Sequence, residues 1–206
     1  MKDEIKNLYK QDNYIRSMLP YRRYFDALEQ VLDFSIIESF IDIGCNNGRL
    51  IEAIKRRRGN VMVAGIDIFK WAQECADPLV KDQIKLIDLS QKQNWDKQYD
   101  IVNCTEVGEH LEKESEQVFL DNIVGLTKDI LIVTWSNTKN DQHFNPRPKK
   151  YIIKELEKRD LTYCVDLTKI FKNSLEDCLL NVGYQWWAED IMIFKRLKFY
   201  NSGYPN

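Results

Sequence analysis

The 206-residue sequence has no long apolar run. Its longest clean stretch, Ile130–Trp135, falls far short of the roughly 18–20 residues that a membrane-spanning helix needs. The N-terminus, Met1-Lys2-Asp3-Glu4, is charged and lacks the apolar segment of a secretory signal, so a cytoplasmic protein is expected. No charge of one sign dominates: 30 basic against 32 acidic residues leave a formal net charge of −2. That balance excludes a generally basic nucleic-acid-binding protein. Cysteine is sparse and scattered, at 45, 75, 104, 164 and 178, with no CxxC pair. A zinc ribbon or a thioredoxin-like site is thereby excluded, and buried free thiols in a reducing compartment are expected. Histidine occurs only twice. No Pro-rich or Ser/Gly linker and no internal repeat marks a domain boundary.

What is present is an alternation of short apolar runs with helical stretches. The runs Ser39–Gly44, Val61–Asp67, Ile84–Leu89, Tyr99–Cys104, Ile130–Trp135, Leu161–Leu167 and Glu189–Leu197 read as strands; Arg49–Arg57, Glu116–Leu126 and Pro148–Arg159 read as helices. Strands alternating with helices predict one α/β domain, Rossmann-like, with a seven-stranded, mostly parallel sheet and helices on both faces. With no clear helix between the last two strands, the final pair is expected to be antiparallel. Residues 1–35 read as an N-terminal helical segment, Asp3–Met18 and Tyr21–Leu32 separated by Pro20. The stripe Tyr21, Tyr24, Phe25, Leu28, Val31 and Leu32 has helical spacing, which suits core packing or a lid over a ligand. Residues 36–200 form the domain proper and 201–206 an irregular tail.

The most informative segment is Phe40-Ile41-Asp42-Ile43-Gly44-Cys45-Asn46-Asn47-Gly48-Arg49-Leu50. An apolar strand ends in an acid, two glycines follow, and a helix opens. The glycines permit a sharp turn and close approach of a ligand, and the helix N-terminus offers unpaired N–H groups. The spacing is not GxGxxG, so a dinucleotide site fits less well. The segment resembles the first motif of the class I S-adenosylmethionine (SAM) dependent methyltransferases, acid-x-Gly-x-Gly-x-Gly, with Asn46 in place of the middle glycine. Two later strands extend the resemblance. Val61–Asp67 ends in Asp67, 23 residues beyond Gly44, and the third strand ends in Asp88. A carboxylate at such a strand end can accept both hydroxyls of a ribose. The resemblance implies that Asp67 binds the SAM ribose and Asp88 the adenine amino group. Phe69 or Leu89 would pack on the adenine ring. The expected cofactor set is Asp42, Gly44, Asn46, Gly48, Asp67, Ile68, Asp88, Leu89 and Asn103.

After the fourth strand comes Thr105-Glu106-Val107-Gly108-Glu109-His110-Leu111, and after the fifth Trp135-Ser136 runs on to Gln142-His143-Phe144-Asn145. Both loops open at the carboxyl edge of the sheet, where ligands bind in such folds. On a helical turn Glu106, Glu109 and His110 would share one face. With His143 they form a donor set suited to Mg²⁺, Mn²⁺ or Zn²⁺. Three readings stay open: a metal bound by Glu106, Glu109, His110 and His143; catalysis by His110 or His143 with Glu109, without metal; or acids that cap a helix beside a packed histidine. The ExxEH-plus-histidine pattern resembles the metal-dependent 2′-O-methyltransferases of small-RNA 3′ ends and, in part, quinone-biosynthetic O-methyltransferases. The Trp-Ser … His-Phe-Asn stretch resembles methyltransferases linked to glycan modification.

The reading is a SAM-dependent O-methyltransferase, with a sugar or glycan hydroxyl as first choice of acceptor and Mg or Mn as a possible cofactor. An RNA 2′-hydroxyl ranks second, then a phenol or quinone, then a non-catalytic partner subunit. Arg147, Lys149 and Lys150 stand near His143 as candidate contacts to an anionic substrate. The run Lys55-Arg56-Arg57-Arg58 reads as a solvated helix end.

Overall fold

The computed structural model describes residues 18–182, 184 and 186–196. The expected helix Asp3–Met18 lies outside them except for its last residue, as does the tail 201–206. In chain order the elements are helix α1 (Leu19–Val31), strand β1 (Ser39–Ile43), α2 (Arg49–Arg57), β2 (Met62–Asp67), α3 (Lys70–Glu74), β3 (Ile84–Leu86), β4 (Tyr99–Cys104), α4 (Glu116–Leu126), β5 (Thr127–Val133), α5 (Lys149–Glu157), β6 (Leu161–Tyr163), α6 (Val165–Leu179), α7 (Trp186–Glu189) and β7 (Met192–Arg196). Together the strands form a seven-stranded sheet in the order β3-β2-β1-β4-β5-β7-β6. The pairs from β3 to β5 are parallel; β7 runs antiparallel to both β5 and β6.

Period-2 alternation sends side chains to two cores. Phe40 of β1 and Ile130 and Ile132 of β5 join the core under α1, α2 and α6, while Ile41, Ile43, Leu131 and Val133 join the one under α4 and α5. Asp42 and Asn103 are register partners on β1 and β4. By the same alternation they sit on the α1 side, where apolar residues would otherwise be.

Two sequence expectations fail locally. Pro20 lies inside the first turn of α1 rather than ahead of it, where its missing N–H costs no helix bond. The run Leu161–Leu167 ends as a strand at Tyr163, and a 15-residue helix, α6, follows. The final pair is antiparallel although a helix does separate β6 from β7. The buried positions of α6 (Thr168, Phe171, Leu175 and Leu179) follow helical spacing, but the apolar Tyr163-Cys164-Val165 run masks where the helix begins.

α1 belongs to the core. Phe25 and Leu28 are fully buried, and Tyr24 meets Phe171 of α6 edge-on at 5.6 Å between ring centroids. The basic run is not merely solvated: Arg57 and Arg58 of the α2 end pair with Asp26 and Glu29 of α1, and Arg56 pairs with Glu52 and Asp77.

Candidate functional site

The turn between β1 and α2 needs three left-handed residues in five: Gly44 (φ +68°), Asn46 (φ +52°) and Gly48 (φ +73°). At Gly44 a Cβ would lie 2.4 Å from Val107 Cγ2, and at Gly48 one would lie 2.9 Å from Ile84 Cδ1. Gly44 is thus required by conformation and by space, and Gly48 by its conformation. Asn46 fills the middle position because asparagine tolerates this region better than other residues with a Cβ. Its Oδ1 accepts the Asn47 N–H at 2.6 Å, and Gly44 and Cys45 donate their N–H groups to the Ile66 carbonyl.

Two carboxylates stand at neighbouring strand ends. Burial pushes Asp42 up to about 7; a hydrogen bond from Asn103 opposes this and the Asp67 charge adds to it. Asn103 Nδ2 donates to Asp42 Oδ1 at 2.7 Å, and the Tyr24 hydroxyl donates to Asn103 Oδ1 at 2.7 Å. Asp67 accepts the Asn46 N–H on Oδ2 and the Phe69 N–H on Oδ1, both at 2.9 Å. Burial raises Asp67 to about 6 against those bonds. Asp88 lies two residues past the end of β3, exposed, accepting the Ser90 N–H at 2.9 Å.

One cavity of about 690 Å³ joins these groups. It runs from Asp88 and Leu89 past Ile68, Asp67 and the glycine loop to Glu106, His110 and His143, and Tyr21, Tyr24, Tyr184 and Trp187 line it as well. Asn103 does not belong to its wall. It is fully buried and touches Asp42 and Tyr24 instead, so its place is behind the site. The stripe on α1 therefore serves both uses at once, as core and as cavity wall.

At the other end of the cavity the structure brings together Glu109, His110 and His143, each offering one donor atom within 4.8 Å of the others. Glu106 is not in that set. The segment Gly108–His110 is a single 3₁₀ turn, and Glu106 precedes it in a left-handed conformation (φ +58°), so the helical face expected to align Glu106 with Glu109 and His110 does not form. Thr134 holds Glu106 at two points: it accepts the Glu106 N–H and donates its hydroxyl to Glu106 Oε1, both at 2.8 Å.

Each histidine is oriented by a backbone carbonyl: His110 Nδ1 lies 2.9 Å from the Gln142 oxygen and His143 Nδ1 2.6 Å from that of Thr138. With Nδ1 donating, the neutral ring carries its lone pair on Nε2, the arrangement of metal-binding and proton-accepting imidazoles. The rings meet edge-on with centroids 5.0 Å apart. Burial lowers the pKa of His110, and the His143 charge lowers it further against the Gln142 bond. Glu109 is fully buried; its Oε1 accepts the Ser136 N–H at 3.4 Å and its Oε2 has no partner. Burial and the neighbouring Glu106 both raise its pKa.

Two imidazoles and a carboxylate with an unused oxygen fit a divalent cation chemically.

Two of the three basic candidates are occupied, and Lys150 is exposed. Arg147 Nε donates to buried Glu116 at 2.5 Å, alongside Asn145 Nδ2 and the Tyr151 hydroxyl. The Lys149 ammonium donates to the Ile191 carbonyl at 2.7 Å. Both fasten the β5–α5 segment to its neighbours. Three functional candidates escaped sequence reading. Tyr24 was seen only as a stripe residue, Thr134 is a polar residue closing an apolar run, and Asp190, whose charge raises Glu106 and Glu109, carries no local signal.

A methyltransferase-domain family model matches residues 41–129, which takes in the glycine loop, Asp42, Asp67, Asp88 and Glu109-His110 but not His143. None of the curated proteins matches the chain. Among solved structures, a plantazolicin methyltransferase in complex with a pentazolic desmethylPZN analog and SAH is 16% identical, with TM-score 0.60, over 94% of this chain and 91% of that one. The O-methyltransferase of a trans-AT PKS multienzyme from Brevibacillus brevis, with S-adenosyl-L-homocysteine, is 17% identical, with TM-score 0.58, over 92% and 75%. Magnesium protoporphyrin IX methyltransferase from Synechocystis PCC 6803, with bound SAM, is 17% identical, with TM-score 0.54, over 70% of each chain. These likenesses establish the shared fold, and the family match places the glycine loop and acids within it. Over residues 41–129 the chain matches a methyltransferase domain, and its fold is shared with methyltransferases solved with SAM or S-adenosylhomocysteine.

Proposed function

We propose that the enzyme transfers the SAM methyl group to a hydroxyl oxygen, with a sugar or other small polyhydroxyl compound as acceptor. The observation that carries this reading is the single cavity joining the glycine loop and Asp67 to the paired histidines. In it Gly44, Asn46 and Gly48 shape the methionine end, Asp67 accepts from the ribose hydroxyls, Asp88 faces the adenine amino group, and Ile68 and Leu89 flank the ring. Asp42 completes the methionine end, held by Asn103, which Tyr24 holds in turn.

The transfer is an in-line displacement. The acceptor oxygen forms a bond to the methyl carbon as the carbon–sulfur bond breaks, the electron pair stays on sulfur, and S-adenosylhomocysteine leaves. The hydroxyl proton passes to Nε2 of His143 or His110, whose neutral tautomer their Nδ1 contacts favour. Glu109, His110 and His143 would hold a divalent cation, which when bound would lower the pKa of the acceptor hydroxyl. Much of the rate gain rests on positioning.

Calorimetric titration with S-adenosylhomocysteine, in chelator and again with Mn²⁺, tests the reading. Binding in both is expected, with a separate Mn²⁺ heat that disappears in His143→Ala. Absence of S-adenosylhomocysteine binding would refute the function. Binding with no Mn²⁺ heat would remove the metal and leave the histidines as the proton acceptors.

A further inference from the structure

The cavity is one-sided in charge. Five carboxylates line it, those of Asp42, Asp67, Asp88, Glu106 and Glu112, and among the described residues no lysine or arginine does. The first three serve the cofactor half in the reading above. Glu106 and Glu112 remain for the acceptor half, beside His110 and His143, and the Asp190 charge reaches Glu106 from β7's entry. The basic side chains of the adjoining segment are turned to other work, Arg147 on Glu116 and Lys149 on the Ile191 carbonyl.

A further observation points to the ligand that suits such a wall. It is aromatic. The Trp187 ring packs with Tyr21 at 5.5 Å and with Tyr184 at 4.7 Å between centroids, and all three residues line the cavity. Aromatic faces attract cations through the ring quadrupole, and carboxylates beside them add to that attraction. An anion entering here would meet Glu106 and Glu112, with no lysine or arginine among the described residues to receive it.

We propose that the acceptor half of the cavity selects a positively charged acceptor: a hydroxyl compound that also bears an ammonium group, such as an amino sugar or amino alcohol. Anionic acceptors, including a nucleic-acid backbone and acidic sugars, are rejected. The proposal rests on the methyltransferase reading of the same site and narrows its substrate class.

The test uses three shape-matched probes on the full chain saturated with S-adenosylhomocysteine, at low salt: choline, its uncharged carbon analogue 3,3-dimethylbutan-1-ol, and the anion 3,3-dimethylbutanoate. Binding is followed by calorimetry and by tryptophan fluorescence. Choline should bind about tenfold more tightly than the neutral alcohol, in keeping with an aromatic and acidic wall, and the anion should not bind. Glu106→Gln, which keeps the oxygen that accepts from Thr134, and separately Tyr21→Leu, should each weaken choline severalfold. Three results overturn the proposal: choline and the alcohol binding alike, the anion binding as well as choline, or no choline binding at millimolar concentration. So does choline binding only when S-adenosylhomocysteine is absent, which would put the cation in the cofactor half. Failure of S-adenosylhomocysteine itself to bind would overturn the underlying reading, and that titration is run first and read separately.

Discussion

Asp42 offers the sharpest test of how the site is built. Its residue is 6% exposed, it accepts one hydrogen bond from Asn103, and burial carries its pKa from 3.8 up to about 7. A proton held more tightly in the folded chain than in the unfolded one stabilises the fold below the unfolded pKa, and that contribution is lost as pH rises through the folded value. For Asp42 the loss runs from about pH 4 to about pH 7 and flattens above that. The full difference, about three pKa units, corresponds to ~4 kcal/mol. Between about pH 5 and about pH 8 the part that disappears is roughly 2.5 kcal/mol. Other carboxylates pull the opposite way. In Asp100 the upward push of burial is outweighed by bonds from Lys128 and Ser39, which hold it low. The whole-protein pH profile is therefore not the test; the difference between wild type and Asp42→Asn is. The amide keeps an oxygen for Asn103 and cannot titrate. Urea denaturation of the ligand-free protein across that range should show the wild type losing stability relative to the variant, at unchanged m-value. A wild-type-minus-variant difference that moves by less than about 0.5 kcal/mol over the range would refute the reasoning.

The glycine loop makes a paired prediction: Gly44→Ala, whose Cβ would sit 2.4 Å from Val107 at φ +68°, should lose about 2 kcal/mol or more of stability. Asn46→Gly, at a φ that glycine adopts freely, should leave S-adenosylhomocysteine affinity within about twofold by calorimetry. Thr134→Val is nearly isosteric and strips both hydrogen bonds from Glu106; a loss of about 1–3 kcal/mol is expected from the denaturation midpoint. Arg147→Ala leaves the Glu116 carboxylate buried without its cation and should cost about 3–5 kcal/mol. It should leave the salt dependence of the acceptor KM unchanged, whereas a substrate-binding arginine would alter it.

Much of the architecture was readable because its causes are local. Strands β1, β4 and β5 are buried apolar runs, and Arg49–Arg57 and Glu116–Leu126 carry helical periodicity that the structure reproduces residue for residue. α6 was hidden because its first residues continue an apolar run and its register is set by packing on α1, a non-local fact. The glycine loop was legible from two glycines and an acid, and the tolerance of Asn46 became clear only from its backbone angle. The convergence of Glu109, His110 and His143 followed from the rule that loops meet at the carboxyl edge of the sheet. The exclusion of Glu106 did not, because it depends on a left-handed residue and on Thr134, 28 residues away. Asn103 was placed against the cofactor by its position at a strand end, but strand alternation buries it behind Asp42 instead. Arg147 and Lys149 show the same limit: charge near a site says nothing about which buried oxygen claims it.

The aromatic wall that α1 contributes is also part of the fold's main core, with Phe25 and Leu28 fully buried on the same helix. Lifting that wall would expose the core. Residues 137–142, by contrast, are exposed, and they include the Thr138 and Gln142 carbonyls that orient the two histidines. The imidazoles therefore take their orientation from an exposed segment and not from the core, so a change in that segment would alter the direction of Nε2 while leaving the sheet and helices as they are.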